Sequence, residues 1–191
     1  MTDINEENNK ILDVVDENDN IIDLKSRTEI HRLGLFHREI KIWMFDKNKN
    51  IFFQKMGLHK RSAGFLDATV GGHVGKGESY LDAAIRETKE ETGILVAPSD
   101  LVFIKKNKIL DNSQNDLGGT INNFIHSMYI YKKPIEDKKL KKERGIPGGG
   151  FQKLSYDFLL HLKKEHQQMI KDSVLTKEIP DVLKYLSTWK N

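Results

Sequence analysis

The chain has 191 residues, 38% of them hydrophobic and 31% charged, with a formal net charge of +3. That composition suits one soluble globular domain with a sizeable buried core, and so small a charge gives no argument for nucleic-acid or membrane binding. There is no cysteine, which excludes disulfides, thiolate metal sites and every cysteine-nucleophile mechanism.

In chain order, residues 1–9 are polar and read as a flexible N-terminus. They lack the pattern of a signal peptide. No apolar run approaches the roughly 18 residues that a membrane helix needs, so a cytoplasmic protein is expected. ILDVVD (11–16) and IIDL (21–24) flank a turn-forming Glu17-Asn18-Asp19-Asn20 and read as a hairpin. HREIKIWMFD (37–46) is a strand, Lys47 to Asn50 a turn, and IFFQKM its partner strand. Residues 57–67 lack periodicity and read as loop. Ala68-Thr69-Val70 is a short strand that leads into Gly71-Gly72.

A helix follows. Ser79, with Asp82 three residues on, is a capping-box-like start. Leu81, Ala84, Ile85 and Thr88 recur at helical spacing and predict its core face. Gly93 suits a left-handed stop. Residues 101–110 read as a strand, 112–119 as a polar loop, and 120–132 as a strand with Phe124, His126, Met128 and Ile130 on one face. Residues 133–150 carry a basic run and end in Pro147-Gly148-Gly149-Gly150, which reads as a loop or lid. An amphipathic helix over 155–170 and a last helical segment after Pro180 complete the chain.

The informative stretch is GHVGKGESYLDAAIRETKEETGI, residues 72–94. Glu87, Glu90 and Glu91 lie at i, i+3 and i+4, so they project from one helical face. Like charges at that spacing destabilise a helix by roughly 0.2–0.5 kcal/mol a pair. They also sit near the helix C-terminus, where the dipole prefers cations. A bound divalent cation offsets both penalties, and oxygen-only ligands favour Mg2+ or Mn2+ over zinc. Arg86 can hold a neighbouring carboxylate through its planar fork. Glycines 71, 72, 75 and 77 let the backbone approach closely, so a carbonyl of Gly71 or Gly72 can reach the metal. Glu78 adds a carboxylate at the head of the helix. Such a set suits attack of water on phosphorus, with one glutamate as base. Glutamate-rich helices are usually just solvated. Seven fixed Gly, Glu and Arg positions, however, coincide by accident in fewer than ~1 in 10⁵ chains.

This stretch resembles the Nudix box: Gly, five residues, Glu, seven residues, Arg-Glu, an aliphatic, any residue, Glu-Glu, any residue, Gly, an aliphatic. Thr88 is the one departure, and it touches packing and not chemistry. The resemblance implies an α+β fold, an α/β/α sandwich with a central mixed sheet, as a single domain over 1–191 with appended helices at 155–191. It implies Glu90 and Glu91 as metal ligands with the Gly71 carbonyl, Glu87 as a further ligand or base, and Arg86 as the orienting residue. Glu78 joins the catalytic set, and His73 and Gly72 are the substrate-binding candidates.

The N-terminal half also resembles isopentenyl-diphosphate isomerases, which share the fold. Those enzymes use a cysteine just before the Gly-His of the box entry, and a metal held by histidines and two glutamates. Here the cysteine position is Gly71. The glutamate positions fall near Asn122 and Phe124, neither a carboxylate. The missing cysteine and the intact box turn the reading toward hydrolysis. Taken singly, His37 reads as a hydrogen-bonded strand residue, His31 as solvated in a turn, and His126 as structural. The missing partner carboxylates weigh against a second, histidine-bound metal.

The expectation is an Mg2+-dependent pyrophosphohydrolase, with Mn2+ as the substitute ion. It acts on a small-molecule diphosphate, a nucleoside diphosphate linked to another moiety. An isomerase-like enzyme and a non-catalytic nucleotide-binding module are the alternatives. A homodimer would be typical of the family. Gln54, Lys55, His59, Lys60 and Arg61 are further candidates for phosphate contact, and Phe65, Phe124 and Tyr129 for stacking on a base.

Overall fold

A computed structural model of the chain describes residues 9–57, 63–110, 121–140 and 149–190. The chain opens with β1 (Ile11–Val15), β2 (Ile21–Ser26), helix α1 (Arg27–Leu33), β3 (His37–Phe45), β4 (Ile51–Lys55), β5 (Leu66–Asp67) and β6 (Val70–His73). Helix α2 (Tyr80–Thr92) carries the glutamates. It is followed by β7 (Leu101–Ile109), β8 (Phe124–Tyr131), β9 (Gly150–Leu154) and four short helices. These are α3 (Tyr156–Leu160), α4 (Lys164–Gln167), α5 (Asp172–Lys177) and α6 (Ile179–Thr188).

Two hairpins are closed by the same device. Asp16 takes the amides of Asn18 and Asn20 on Oδ1, and Asp46 does the same for Asn48 and Asn50. Aspartate mimics a backbone turn in this way. It leaves Asp19 and Lys49 at φ values of 69° and 62°. The strand-turn-strand readings at 11–24 and 37–55 correspond to β1–β2 and β3–β4.

Strand β3 organises the sheet. It pairs antiparallel with β1, β4 and β6, and parallel with β8. Its residues 39–42 face β6, while Met44 and Phe45 face β4. The sheet therefore splits where β6 and β4 part from β3. Side chains alternate across β3. Ile40, Ile42 and Met44 pack with Val70, Ala83 and Ala84 under α2. Trp43 and Phe45 pack with Met128 and Ile130 against Val174, Ile179, Val182 and Leu186 of the C-terminal helices. This makes a mixed sheet between two helical layers, the expected α+β sandwich.

Several local readings are corrected. His31, read as solvated in a turn, lies instead in α1, residues 27–33. Its start is a capping box between Ser26 and Glu29 and its stop is Gly34 at φ 66°, but seven residues with one buried side chain show too little periodicity to betray a helix. The strand before the box runs Val70–His73, beyond the expected 68–70, because Glu39 to Ile42 supply partners that far. Loop residues 66–67 pair with β4 as β5. Gly150, read as part of a linker, begins β9, which pairs with β4 along its length. The helix expected over 155–170 is broken into α3 and α4 near His161. Residues 58–62, 111–120 and 141–148 lie outside the described residues. With them lie the readings on His59, Lys60 and Arg61, on the loop 112–119, and on residues 141–148 of the lid.

Among the described residues no helix is long and apolar enough to cross a membrane. The face of β3 toward the C-terminal helices becomes polar below Trp43. Lys41 pairs with Asp67 at 2.9 Å, and Glu178 accepts the indole N–H of Trp43 at 2.9 Å. Burial pushes Glu178 up to about 7, against the pull of Lys41. Its contribution to stability is complete below the usual carboxylate range and is lost as pH rises through about 7. Replacement by glutamine keeps an acceptor for Trp43 and removes the titration. Thermal melts of wild type and Glu178→Gln should coincide near about pH 4 and separate in the variant's favour by roughly 3 kcal/mol toward about pH 8. A constant gap across that range would contradict the account.

Candidate active site

Helix α2 starts with Ser79, whose side chain accepts the Asp82 amide, and stops at Gly93 at φ 73°. Its inner face is small: Ala83, Ala84, Thr88 and Thr92 are buried. Leu81 and Ile85, expected inside, are only half-buried. Thr88 stands where the box prefers an aliphatic residue. Its hydroxyl donates to Ala84 O at 2.7 Å, and that of Thr92 to Thr88 O at 2.6 Å. Both buried hydroxyls are thus satisfied within the helix. This small face brings α2 close against β6. A Cβ at Gly72 would lie 2.1 Å from Glu87 Cδ, so only glycine fits there beside the carboxylate.

The edge of β6 can be read from its ladder. Val74 N donates to Arg38 O at 2.9 Å, which makes residues 38 and 74 a hydrogen-bonded pair. Such pairs alternate along an antiparallel ladder. Residues 72 and 70 therefore bond to β3, while the peptide groups of Gly71 and His73 face the other way. Two contacts agree. Gly71 N donates to Glu91 Oε2 at 3.3 Å, and His73 O accepts from Arg86 Nη2 at 3.0 Å. The outward peptide edge of residues 71–73 thus meets the glutamate face of α2, at the split in the sheet. Gln54, from β4 across the split, also donates to Glu91 Oε2, at 3.3 Å.

Arg86 gathers the rest. Its Nε and Nη2 hold the two oxygens of Glu78, each at 2.8 Å. Its Nη1 reaches Glu87 at 2.7 Å and Glu90 at 3.1 Å. Gly75 N adds a bond to Glu78 Oε2 at 2.8 Å. The sequence suggested one carboxylate for this guanidinium, and the fold gives it three. Glu78 foremost, with Glu87 beside it, holds Arg86 firmly in its charged form. Burial pushes Glu78 up, but the Arg86 fork and the Gly75 amide outweigh it and hold the carboxyl below its usual range. Glu87 goes the other way. Burial lifts it and Glu90 adds to the lift, so Arg86 only partly offsets them. Two carboxylates on one guanidinium are thereby driven apart, a pattern found where acid-base roles are divided.

The sequence candidates therefore fall into groups. Gly71, Gly72, Glu78, Arg86, Glu87, Glu90 and Glu91 converge on the β6 edge. Glu90 is the most open, with a side chain 56% exposed. His73 lies on β6, but its side chain turns to the opposite face, toward Glu39 and away from the glutamates. Phe124 and Tyr129 are buried, and Phe65 is 40% exposed. Sequence reasoning passed over Glu39 and Lys41. They alternate with Ile40 and Ile42 and so look like an ordinary solvent face, but His73 and Asn122 pack on Glu39, and Asp67 and Glu178 on Lys41.

His31, His37 and His73 form a second cluster, from α1, β3 and β6. One ligand atom from each lies within 4.8 Å of the others. Glu39 Oε1 stands 3.5 Å from His37 Nε2 and 3.7 Å from His73 Nε2. Burial holds His31 down at about 4 and His73 well below its usual value, so both rings are neutral near pH 7. The reading of His31 as solvated is thus corrected, because α1 turns it inward.

The oxygen-only donor set at the β6 edge makes one clear prediction. Gly72→Ala should leave the circular-dichroism spectrum unchanged, since the backbone there is extended. It should displace Glu87 and reduce turnover by about 10²-fold, the usual cost of misplacing a reacting group by 1 Å. Unchanged turnover would contradict the placement of Glu87.

Comparison with known proteins agrees with this geometry. The NUDIX domain family matches residues 35–153. A curated Nudix hydrolase of Clostridium acetobutylicum is 32% identical over 156 residues, 78% of this chain and 72% of that protein. A Nudix hydrolase of Streptomyces coelicolor is 42% identical over 44% of this chain and 47% of its own length. An isopentenyl-diphosphate Delta-isomerase of Serratia proteamaculans is 39% identical over 44% of this chain and 48% of its own. The match spans about half the length of these last two relatives. Among solved structures, DR0079 from Deinococcus radiodurans superposes with a TM-score of 0.61 at 19% identity, covering 92% of this chain and 98% of that one. A MutT protein from Methanosarcina mazei gives 0.54 at 15% identity, covering 80% and 93%. These two likenesses concern the fold. The family match and the Clostridium relative go further, and the chain belongs to the Nudix family.

Proposed function

We propose that the protein is a Mg2+-dependent pyrophosphohydrolase that cleaves the diphosphate linkage in a nucleoside diphosphate joined to another moiety. The observation that carries this reading is the outward peptide edge of Gly71–His73 flanked by Glu87 and Glu91. It offers carboxylate and carbonyl oxygens and no softer donor, which fits a hard cation.

The Gly71 carbonyl, Glu87, Glu90 and Glu91 would hold the ion. When bound, Mg2+ supplies charge for the phosphate oxygens and for the developing charge at phosphorus. The chain's own residues do the rest. Arg86 fixes Glu78, Glu87 and Glu90 in one arrangement before substrate arrives, so little reorganisation accompanies reaction. Gln54 orients Glu91. Glu87, lifted by burial, is the side chain best poised to take a proton from the attacking water. Gly72 gives Glu87 its room. An isomerase needs a further acid or base on the Gly71 side, and glycine offers none there.

Incubation with nucleoside diphosphates, triphosphates, nucleotide sugars, dinucleoside polyphosphates and isopentenyl diphosphate, with and without Mg2+, tests the reading. Phosphate release or formation of a nucleoside monophosphate from a nucleotide substrate is expected only with Mg2+. Release from no member of the panel would sink the proposal, and a double-bond shift in isopentenyl diphosphate would favour the isomerase. Glu91→Gln should abolish turnover and leave the fold intact.

The pH profile gives an independent check. Glu87 must be ionised to act as base, and its pKa lies above the ordinary glutamate value. The acid limb of kcat/KM should therefore disappear in Glu87→Gln together with most of the activity. A limb retained in Glu87→Gln would assign the base elsewhere.

A further inference from the structure

The hairpin β1–β2 lies before residue 35, where the family match begins, yet it reaches the box. Strand β1 joins β3 through one ladder pair, Val14 with His37. Leu12 and Val14 pack with Ile30 of α1. Asp13 stands between them and points to the other face. It is 3% exposed, a carboxylate buried in an otherwise apolar strand. A buried charge needs partners that hold it, and the box loop supplies one. Gly77 N donates to Asp13 Oδ2 at 3.0 Å. Beside it, Lys76 N donates to Ile11 O at 3.3 Å. Arg38 Nη1 faces the same Asp13 oxygen at 3.9 Å.

Residues 75–78 form a turn. Glu78 N closes it on Gly75 O at 3.0 Å, and Gly75 N returns a bond to Glu78 Oε2 at 2.8 Å. Gly77 sits at φ 68°, a conformation that glycine adopts at no steric cost but does not itself select. The two central amides of the turn, of Lys76 and Gly77, are the ones that β1 accepts. Glu78 leaves the turn directly, and its two oxygens meet Arg86 at 2.8 Å each. Arg38 completes the frame. Its carbonyl takes Val74 N at the entry to the loop, and its Nε and Nη2 hold Asp19 Oδ1 and O at 2.6 Å each. Asp19 in turn accepts the Tyr80 hydroxyl at 3.0 Å, in the first turn of α2. The hairpin thus grips the loop in its middle and at its exit.

We propose that Asp13 is a positioning residue of the carboxylate site. It holds the Gly77 amide, and this fixes the direction in which Glu78 leaves the turn. Glu78 then sets the fork of Arg86, and Arg86 sets Glu87 and Glu90. Asp13 touches neither substrate nor the reacting atoms; it acts through Glu78. The hairpin is therefore a working part of the site, although it precedes the family match. The effect on turnover rests on the pyrophosphohydrolase proposed above, whereas the effect on Arg86 does not. Asparagine keeps an oxygen for the Gly77 amide, and alanine keeps none. A purely structural Asp13 would change the melting temperature and leave Arg86 as it is.

Two readouts on the full chain test this. The first needs no turnover. In ¹H–¹⁵N spectra the Nε–H of Arg86, bound to Glu78 at 2.8 Å, should give a slowly exchanging resonance, identified by its loss in Arg86→Lys. It should persist in Asp13→Asn and vanish through solvent exchange in Asp13→Ala. An unchanged resonance in Asp13→Ala, or none in wild type, overturns the proposal. The second readout is kinetic. Asp13→Ala should lower kcat by about 10²-fold with KM little changed, and Asp13→Asn should recover most of the loss. In a Glu78→Gln background the same alanine should cost little more, since the two residues act in series. Equal losses in both backgrounds overturn the proposal. Should Asp13→Ala fail to fold, Asp13→Glu keeps the charge and displaces the oxygen by one methylene. It should broaden the Arg86 resonance and lower kcat, and no change in either overturns the proposal. A wild-type chain that turns over no substrate fails as a pyrophosphohydrolase, and the Arg86 resonance then decides on Asp13 alone.

Discussion

Arg86 is the interaction on which the rest of the site depends. One guanidinium holds Glu78 bidentately, touches Glu87 and Glu90, and bonds the carbonyl of His73. It joins the loop before α2, the middle of α2 and the edge of β6 into one unit. Without it, Glu78 from the loop and Glu87 and Glu90 from the helix would crowd together with no guanidinium to offset their repulsion. Lysine could not replace it, because a point charge cannot serve five directed contacts at once. The same residue sets the electrostatics, keeping Glu78 ionised while Glu87, more buried, is lifted.

The sheet supplies the other constraint. Strand β3 pairs with β6 and then with β4, and the two diverge from it. Glu91 spans the split, bonding Gly71 on one side and Gln54 on the other. The peptide groups exposed at such a split are the natural partners for a cation and its carboxylates. The opposite face of β3 is separate chemically. It carries His37, Glu39 and Lys41 below an apolar layer of Trp43 and Phe45, with Glu178 closing it from the C-terminal helices. The strand thus borders the carboxylate site through the edge of its neighbour and adds His37 and Glu39 to the imidazole cluster through its own side chains.

Much of this was legible in the sequence, for physical reasons. The box glutamates break local helix rules, so they stood out. The hairpins announce themselves through Asp-x-Asn-x-Asn turns, and β3 and α2 through their periodicity. What escaped has a common cause. Glu39 and Lys41 alternate with isoleucines just as solvent-facing residues do. Only the packing of distant residues, Asp67 and Glu178 on Lys41 and His73 on Glu39, shows that the face is covered. Helix α1 is too short for a periodic signal, although its capping box and Gly34 were visible. Strand β9 follows a glycine-rich stretch that looks like a linker, and its pairing with β4 is long-range. The triple engagement of Arg86 needs the loop at 75–78 folded back, which no spacing reveals.

The glycine at position 71 links these observations to the chemistry. An isomerase relative exists, and the fold alone admits either reaction. On the 71 side a Cβ would approach Lys41 Nζ at 3.0 Å, so an ammonium ion-paired with Asp67, and no thiol, occupies that space. On the other side stand the carboxylates. With that arrangement, attack of water on phosphorus is the expected reaction. Turnover in ¹⁸O-labelled water, with phosphorus NMR of the products, tests this most directly. One labelled oxygen is expected in one phosphate product, dependent on Mg2+. Label in a product without phosphorus, or turnover with no label incorporated, would contradict it.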